Sequence, residues 1–169
     1  CILPVVYRES FETLLREIRS VQPIIVIALG QADRRKLSIE RVALNIDDFS
    51  IVDNGGNLIV DREIVEGAPL AYWSTLPIKA IVRRLQLEDI EAEISNSAGT
   101  FVCNHLFYQL QHWLLHRNIL SGFVHVPLLP EQSANRQSDM TTATMINAVR
   151  MVAEECYETL LVQLKTNEP

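Results

Sequence analysis

Residues Glu91–Pro127 read EAEISNSAGTFVCNHLFYQLQHWLLHRNILSGFVHVP, and the fold follows from how their hydrophobic period changes. Glu91 to Ser95 alternates polar and apolar residues as a half-buried strand does. Asn96-Ser97-Ala98-Gly99-Thr100 then gathers turn and N-capping residues. Beyond them Val102, Leu106, Leu110, Trp113 and Leu114 recur at helical spacing and form one apolar stripe, with Cys103 in the first turn. Gly122 to Pro127 returns to a β-rich run that contains His125. Strand, helix and strand in this order is the unit of a mostly parallel sheet covered by helices, so the chain reads as α/β.

The flanking sequence extends the pattern. Pro77 at the first helical position opens a helix with Ile78, Ile81, Val82 and Leu85 on one face. Upstream, Ile2 to Tyr7 reads as a strand, and Phe11, Leu14, Leu15 and Ile18 as an amphipathic helix with Ser10 as its N-cap. Pro23 to Leu29 reads as a buried strand that Gly30 ends. Ser38 to Ile46 is β-like, and Asp53-Asn54-Gly55-Gly56-Asn57 is the turn of a hairpin excursion. Thr141 to Leu164 reads as a closing amphipathic helix. With neither repeat nor linker, residues 1–169 read as one domain.

Composition removes several function classes. Of 169 residues, 48% are hydrophobic and 21% charged, too apolar for a disordered chain. Fifteen Lys and Arg against 21 Asp and Glu give a formal charge of -6, which argues against a protein that tracks nucleic-acid phosphates. Arg34-Arg35-Lys36 is a basic cluster, but a short one. The longest apolar run, Pro23 to Leu29, falls far short of the roughly 18 residues of a membrane span. Cys1, Cys103 and Cys156 are odd in number and widely spaced, which fits neither a disulfide framework nor a zinc motif and suits a reducing cytoplasm.

Three residues invite a chemical reading. Cys103, at the start of a helix that follows a strand, faces unpaired backbone amides and the positive end of the helix dipole; both favour thiolate, and the amides suit an oxyanion. His125 lies near the C-terminal end of a strand, where α/β sheets present ligand-contacting residues. Glu40 interrupts apolar neighbours in Ser38-Ile39-Glu40-Arg41-Val42 and could orient a histidine. Spacing leaves the plain alternatives open: a cysteine acting as a small hydrophobe, a core histidine, and a Glu40–Arg41 surface pair. His105, His112 and His116 read as a solvated helix face. Of these, 112 and 116 share a side without an acidic third ligand, so no metal site is expected.

Five ordered blocks carry a family resemblance. They are Gly30-Gln31-Ala32 with Ile39-Glu40-Arg41-Val42-Ala43-Leu44-Asn45-Ile46-Asp47-Asp48; Asp53-Asn54-Gly55-Gly56-Asn57; Tyr72-Trp73-Ser74-Thr75-Leu76-Pro77-Ile78-Lys79-Ala80; Ser97-Ala98-Gly99-Thr100-Phe101-Val102-Cys103-Asn104-His105-Leu106-Phe107-Tyr108; and Gly122-Phe123-Val124-His125-Val126-Pro127 with Pro130-Glu131-Gln132. Together they resemble the pyroglutamyl peptidase I, or pyrrolidone-carboxylate peptidase, family over nearly the whole chain. The resemblance implies a three-layer α/β/α sandwich and a cytoplasmic cysteine peptidase, often a homotetramer. Its substrates would be peptides with an N-terminal pyroglutamate, cleaved through a thioester. By position, Cys103 matches the nucleophile, His125 the general base and Glu40 the acid that orients it. Gln31 matches a residue associated with the substrate lactam, and Ile51, Phe101 and Val102 match members of its apolar pocket. A neutral lactam suits an apolar slot with a few fixed hydrogen bonds, and neither a metal nor an organic cofactor is implied.

The sequence departs from the family in three places. Asp33-Arg34-Arg35-Lys36-Leu37 is strongly charged where many members have a glycine pair, and Ser50 stands where relatives usually carry arginine. Family members also open with a strand and a Gly-Phe-x-Pro-Phe loop ahead of the point matching Leu3-Pro4-Val5-Val6, so a strand and one pocket wall are expected to be missing from the chain as given. The alternative that follows is a catalytically impaired relative that binds lactams or partner chains.

Overall fold

Strands β1 (Ile25–Ala32) and β6 (Leu120–Pro127) run parallel, residue for residue from Ile25 opposite Leu120 to Ala32 opposite Pro127. In chain order they belong to α1 (Glu9–Val21), β1, β2 (Leu37–Glu40), β3 (Val42–Leu44), β4 (Ala71–Trp73), α2 (Ile78–Leu87), β5 (Ala92–Ser95), α3 (Val102–Leu114), β6 and α4 (Thr142–Thr166). This computed structural model describes residues 1–132 and 140–166. The main sheet has the order β1-β6-β2-β5, in which β2 is parallel to β5 and antiparallel to β6; β3 and β4 form a separate antiparallel pair.

Alternation along the central strands sorts their side chains onto two cores. Val26, Ala28 and Phe123 join α1, α3 and the β3–β4 pair in one apolar cluster. Val124, Leu37 and Ile39, with Ile25 and Ile27 at the margin, pack against α2 and α4 in the other. The sheet therefore lies between two helical layers, an α/β/α sandwich, which explains why β1 and β6 read as continuous apolar runs.

Several local expectations are overturned. Ile2 to Tyr7 is not a strand: Pro4 has no N–H to donate, and the neighbouring groups are used elsewhere. The Val5 carbonyl accepts from Asn54 N at 3.0 Å, Tyr7 N donates to Asp53 Oδ2 at 2.6 Å, and the Val6 carbonyl receives Ser10 N at 3.1 Å. Ser10 lies inside α1 with its hydroxyl buried and without a hydrogen-bond partner, while Arg8 occupies the cap position. Gly30 does not end β1 but continues it opposite His125. The β-like stretch after residue 37 breaks at Arg41 into two strands in different sheets.

The excursion between β3 and β4 closes as read, with Phe49 N bonded to Ile59 O and Asp47 bridged antiparallel to Arg62. Asp53 is the knot of its turn. Its carboxylate accepts from the backbone amides of Tyr7, Gly55 and Asn57 and from the Asn57 side chain. Burial would raise its pKa, but these donors outweigh it and lower the value from 3.8 to about 2. The sign follows: Asp53 contributes stability in full above about 3.8 and loses it as pH falls through about 2. The gap in urea midpoint between wild type and Asp53→Asn is accordingly expected to be widest near pH 5 and to narrow between about pH 4 and 2. A gap that stays constant over that range would contradict the linkage.

Candidate active site

The register between β2 and β6 builds the site's polar half. Ser38 lies directly opposite His125, so Glu40, two residues further on, is the diagonal neighbour on the same face, within reach of a long side chain. The result is a contact of 2.7 Å between Glu40 Oε1 and His125 Nδ1, with the side chains 0% and 3% exposed. The surface-pair reading of Glu40 is thereby replaced. Arg34, from the charged loop between β1 and β2, reaches the same Oε1 at 2.9 Å. Glu40 Oε2 has no hydrogen-bond partner.

Cys103 arrives from the opposite layer in the first turn of α3, as the sequence indicated. Asn104 fixes that turn to β3 and the residues that follow it: its amide donates to the carbonyls of Leu44 and Ile46 at 2.9 Å each and accepts from Leu44 N at 3.0 Å. The helix has no side-chain cap, since extended Phe101 holds the cap position and the preceding turn satisfies itself through Gly99 N to Ser97 Oγ and Thr100 Oγ1 to Asp48 O. The Cys103 sulfur lies over β1 where β1 is bare. A methyl at Gly30 would fall 3.1 Å from Sγ and 2.8 Å from Phe123, and Gly30 is the register partner of His125. Cys103 and Phe123 thus close on a glycine that leaves room for both, in register with His125.

The thiol is not the acidic one that its helix position suggested. Burial pushes its pKa up from 9.0 to about 11, the negative charge of Glu40 adds to the rise, and the positive charge of Arg34 opposes it. The helix terminus is in place, and desolvation acts against it. A thiol held in this way needs a base to become a nucleophile.

An apolar groove of about 880 Å³ runs from Cys1–Val5 past α1 and along β1 to Cys103. Gln31, Phe101 and Val102 line it together with Cys103. The Gln31 side chain bridges strand ends, donating to Gln132 Oε1 at 2.7 Å and to the Pro127 carbonyl at 3.4 Å. Ile51 lies outside the groove lining, 64% exposed in the excursion.

The solvated-face reading of the helix histidines holds only for His116. His105 is fully buried, its Nδ1 2.8 Å from Asp47 Oδ2 and its ring 4.8 Å from that of Tyr7, while His112 Nδ1 meets the Tyr72 hydroxyl at 2.8 Å. The cause is that the excursion and β4 cover the outer side of α3, so this helix is buried around most of its circumference. Among the described residues, no group of three or more His, Cys, Asp or Glu is placed to hold a metal ion. Sequence reasoning missed Arg34 and Asp47. The charged departure at residues 33–37 was the available signal for the first; nothing local distinguishes the second.

The chain is similar to known proteins over most of its length. A family model described as pyroglutamyl peptidase matches residues 1–159. The pyrrolidone-carboxylate peptidase of Vibrio vulnificus strain YJ016 is 49% identical over 161 residues, which is 94% of this chain and 76% of that protein. The Bacillus cereus strain Q1 protein of the same name is 49% identical over 90% of this chain and 73% of its own length. In three dimensions, pyroglutamyl peptidase I from Bacillus amyloliquefaciens superposes with a TM-score of 0.88 at 39% identity, covering 91% of this chain and 75% of that one. A pyrrolidone carboxyl peptidase variant from Pyrococcus furiosus does so with a TM-score of 0.89 at 40% identity, over 94% and 80% of the two chains.

Proposed function

The chain belongs to the pyroglutamyl peptidase family, and from that premise we propose that it is a cysteine exopeptidase, releasing N-terminal pyroglutamate from peptides through a thioester. The observation that carries the reading is the buried Glu40–His125 contact of 2.7 Å beside the Cys103 helix terminus. With Glu40 as acceptor, His125 holds its hydrogen on Nδ1, leaving Nε2 with the lone pair a general base needs. His125 takes the Cys103 proton as sulfur attacks the pyroglutamyl carbonyl, and Glu40 stabilises the imidazolium formed. The uncapped amides of the first turn of α3 hold the oxyanion. The imidazolium then protonates the departing amine as the C–N bond breaks. A water gives a proton to His125 and its oxygen to the acyl carbon; the C–S bond breaks, and the proton returns to sulfur. Pyroglutamate leaves.

Specificity rests on the groove. Phe101 and Val102 offer the lactam an apolar wall and Gln31 a polar edge. An open-chain glutaminyl terminus would have to bring a charged ammonium into the same space, a desolvation cost that favours the lactam. Pyroglutamyl-anilide is therefore expected to turn over roughly 10³-fold or more faster than glutaminyl-anilide in kcat/KM. Comparable rates would replace this reading with that of an open-chain amidase. In the same reading, and by family resemblance, the enzyme works in the cytosol as a homo-oligomer. Among the described residues, no helix is long and apolar enough to cross a membrane.

A further inference from the structure

We infer that Arg34 is a positioning residue of this site: it holds the carboxylate that orients His125, ties it to the loop leading into the nucleophile helix, and sets by its charge the pH range in which the Cys103–His125 pair is active. The inference rests on the catalytic reading above and adds to it a residue from the loop where the sequence departs from the family pattern.

The geometry is that of a guanidinium fork used on three elements at once. Arg34 Nη1 lies 2.9 Å from Glu40 Oε1 on β2 and 3.0 Å from Ser95 Oγ at the end of β5, while Nη2 donates to the Ser97 carbonyl at 3.1 Å. Ser95 is the register partner of Glu40, and its hydroxyl also bonds within the 95–97 turn, so one side chain braces the carboxylate and the approach to α3 together. The arginine is anchored in turn by its own amide, bonded to the Ala32 carbonyl at 2.8 Å. Glu40 Oε1 thus receives two donors, Arg34 and His125, while Oε2 receives none. Both donors meet the carboxylate at one oxygen, and that oxygen faces His125 Nδ1.

The electrostatic consequence has a definite sign. The charged and titratable groups at this centre are Glu40 on β2, His125 on β6, Cys103 on α3 and Arg34 itself. Asp33 and Arg35 flank Arg34 in the loop, Arg35 facing Glu91 at 3.7 Å, and Glu93 on β5 bonds Ser38. Arg34 is the cation that opposes the rise of the Cys103 thiol pKa. Removing one positive charge makes every nearby proton harder to lose, so both limbs of the pH profile move upward, whichever of thiol and imidazole ionises first.

The test compares wild type, Arg34→Met and Arg34→Lys, all as the full chain, by two readouts. One is the pH dependence of kcat/KM for a pyroglutamyl-anilide; the other is the pH dependence of Cys103 alkylation by iodoacetamide, followed on its own peptide by mass so that Cys1 and Cys156 do not contribute. Arg34→Met is expected to raise the acid limb and the alkylation midpoint by about one pH unit, with roughly tenfold lower kcat/KM below the limb. Arg34→Lys keeps the charge without the fork, so its midpoints stay near wild type while kcat falls. Unmoved midpoints in Arg34→Met would overturn the inference, even with activity reduced, because bracing alone does not shift a titration. Midpoints raised equally in Arg34→Lys would overturn the charge assignment. Should wild type show no pyroglutamyl hydrolysis, the catalytic reading fails, and the alkylation profiles still decide the role of Arg34.

Discussion

Cys103→Ala is expected to lower kcat/KM for a pyroglutamyl-anilide by roughly 10⁴- to 10⁶-fold, the loss seen when a nucleophile is deleted from a hydrolase that keeps its binding site. The fold should survive the change. Cys103 is only half-buried, and α3 is held by the Asn104 bonds to β3 and by the packing of Leu106, Phe107 and Leu110 rather than by the sulfur. A variant with an unchanged thermal midpoint and no turnover supports the nucleophile; one that retains a tenth or more of wild-type kcat/KM removes Cys103 from the mechanism.

Glu40→Gln is expected to cost roughly 10³- to 10⁴-fold in kcat, comparable with neutralising the acid of other hydrolytic triads. Glutamine keeps the shape, and its amide nitrogen can fall at the Oε2 position, where no partner exists to be lost. The missing property is charge. A neutral amide does not stabilise imidazolium, and it also removes the negative charge that raises the Cys103 thiol pKa, so the acid limb moves down in pH, opposite in sign to the shift expected for Arg34→Met. A Glu40→Gln enzyme with full kcat and an unmoved acid limb would reduce Glu40 to a structural partner of Arg34.

The parts of this site that depend on short-range pattern were legible in the sequence. Strand, turn and helix around Ser95, Gly99 and Val102 followed from hydrophobic period and turn chemistry, and they placed Cys103 at a helix terminus. His125 was legible as a polar residue late in an apolar strand. Glu40 could be assigned only by resemblance, because its contact depends on an antiparallel register between segments 85 residues apart, which no local pattern encodes. Gly30 was misread for a related reason: it interrupts an apolar run, yet its smallness serves close approach of Phe123 and Cys103 within a continuing strand. His105 was misread because burial of α3 depends on an excursion folding over its outer face. The thiol pKa failed in the same way, since helix polarity is local and desolvation is not.

In the proposed mechanism Cys103 is acylated by the pyroglutamyl group during turnover. Wild-type enzyme mixed with a pyroglutamyl ester, quenched in acid within the first turnovers and digested for mass spectrometry, tests it most directly. A pyroglutamyl adduct is expected on the peptide carrying Cys103, lost on treatment with hydroxylamine and accumulating where the deacylating water is slow. Product formation with no adduct at Cys103, or with the adduct on Cys1 or Cys156, would contradict it.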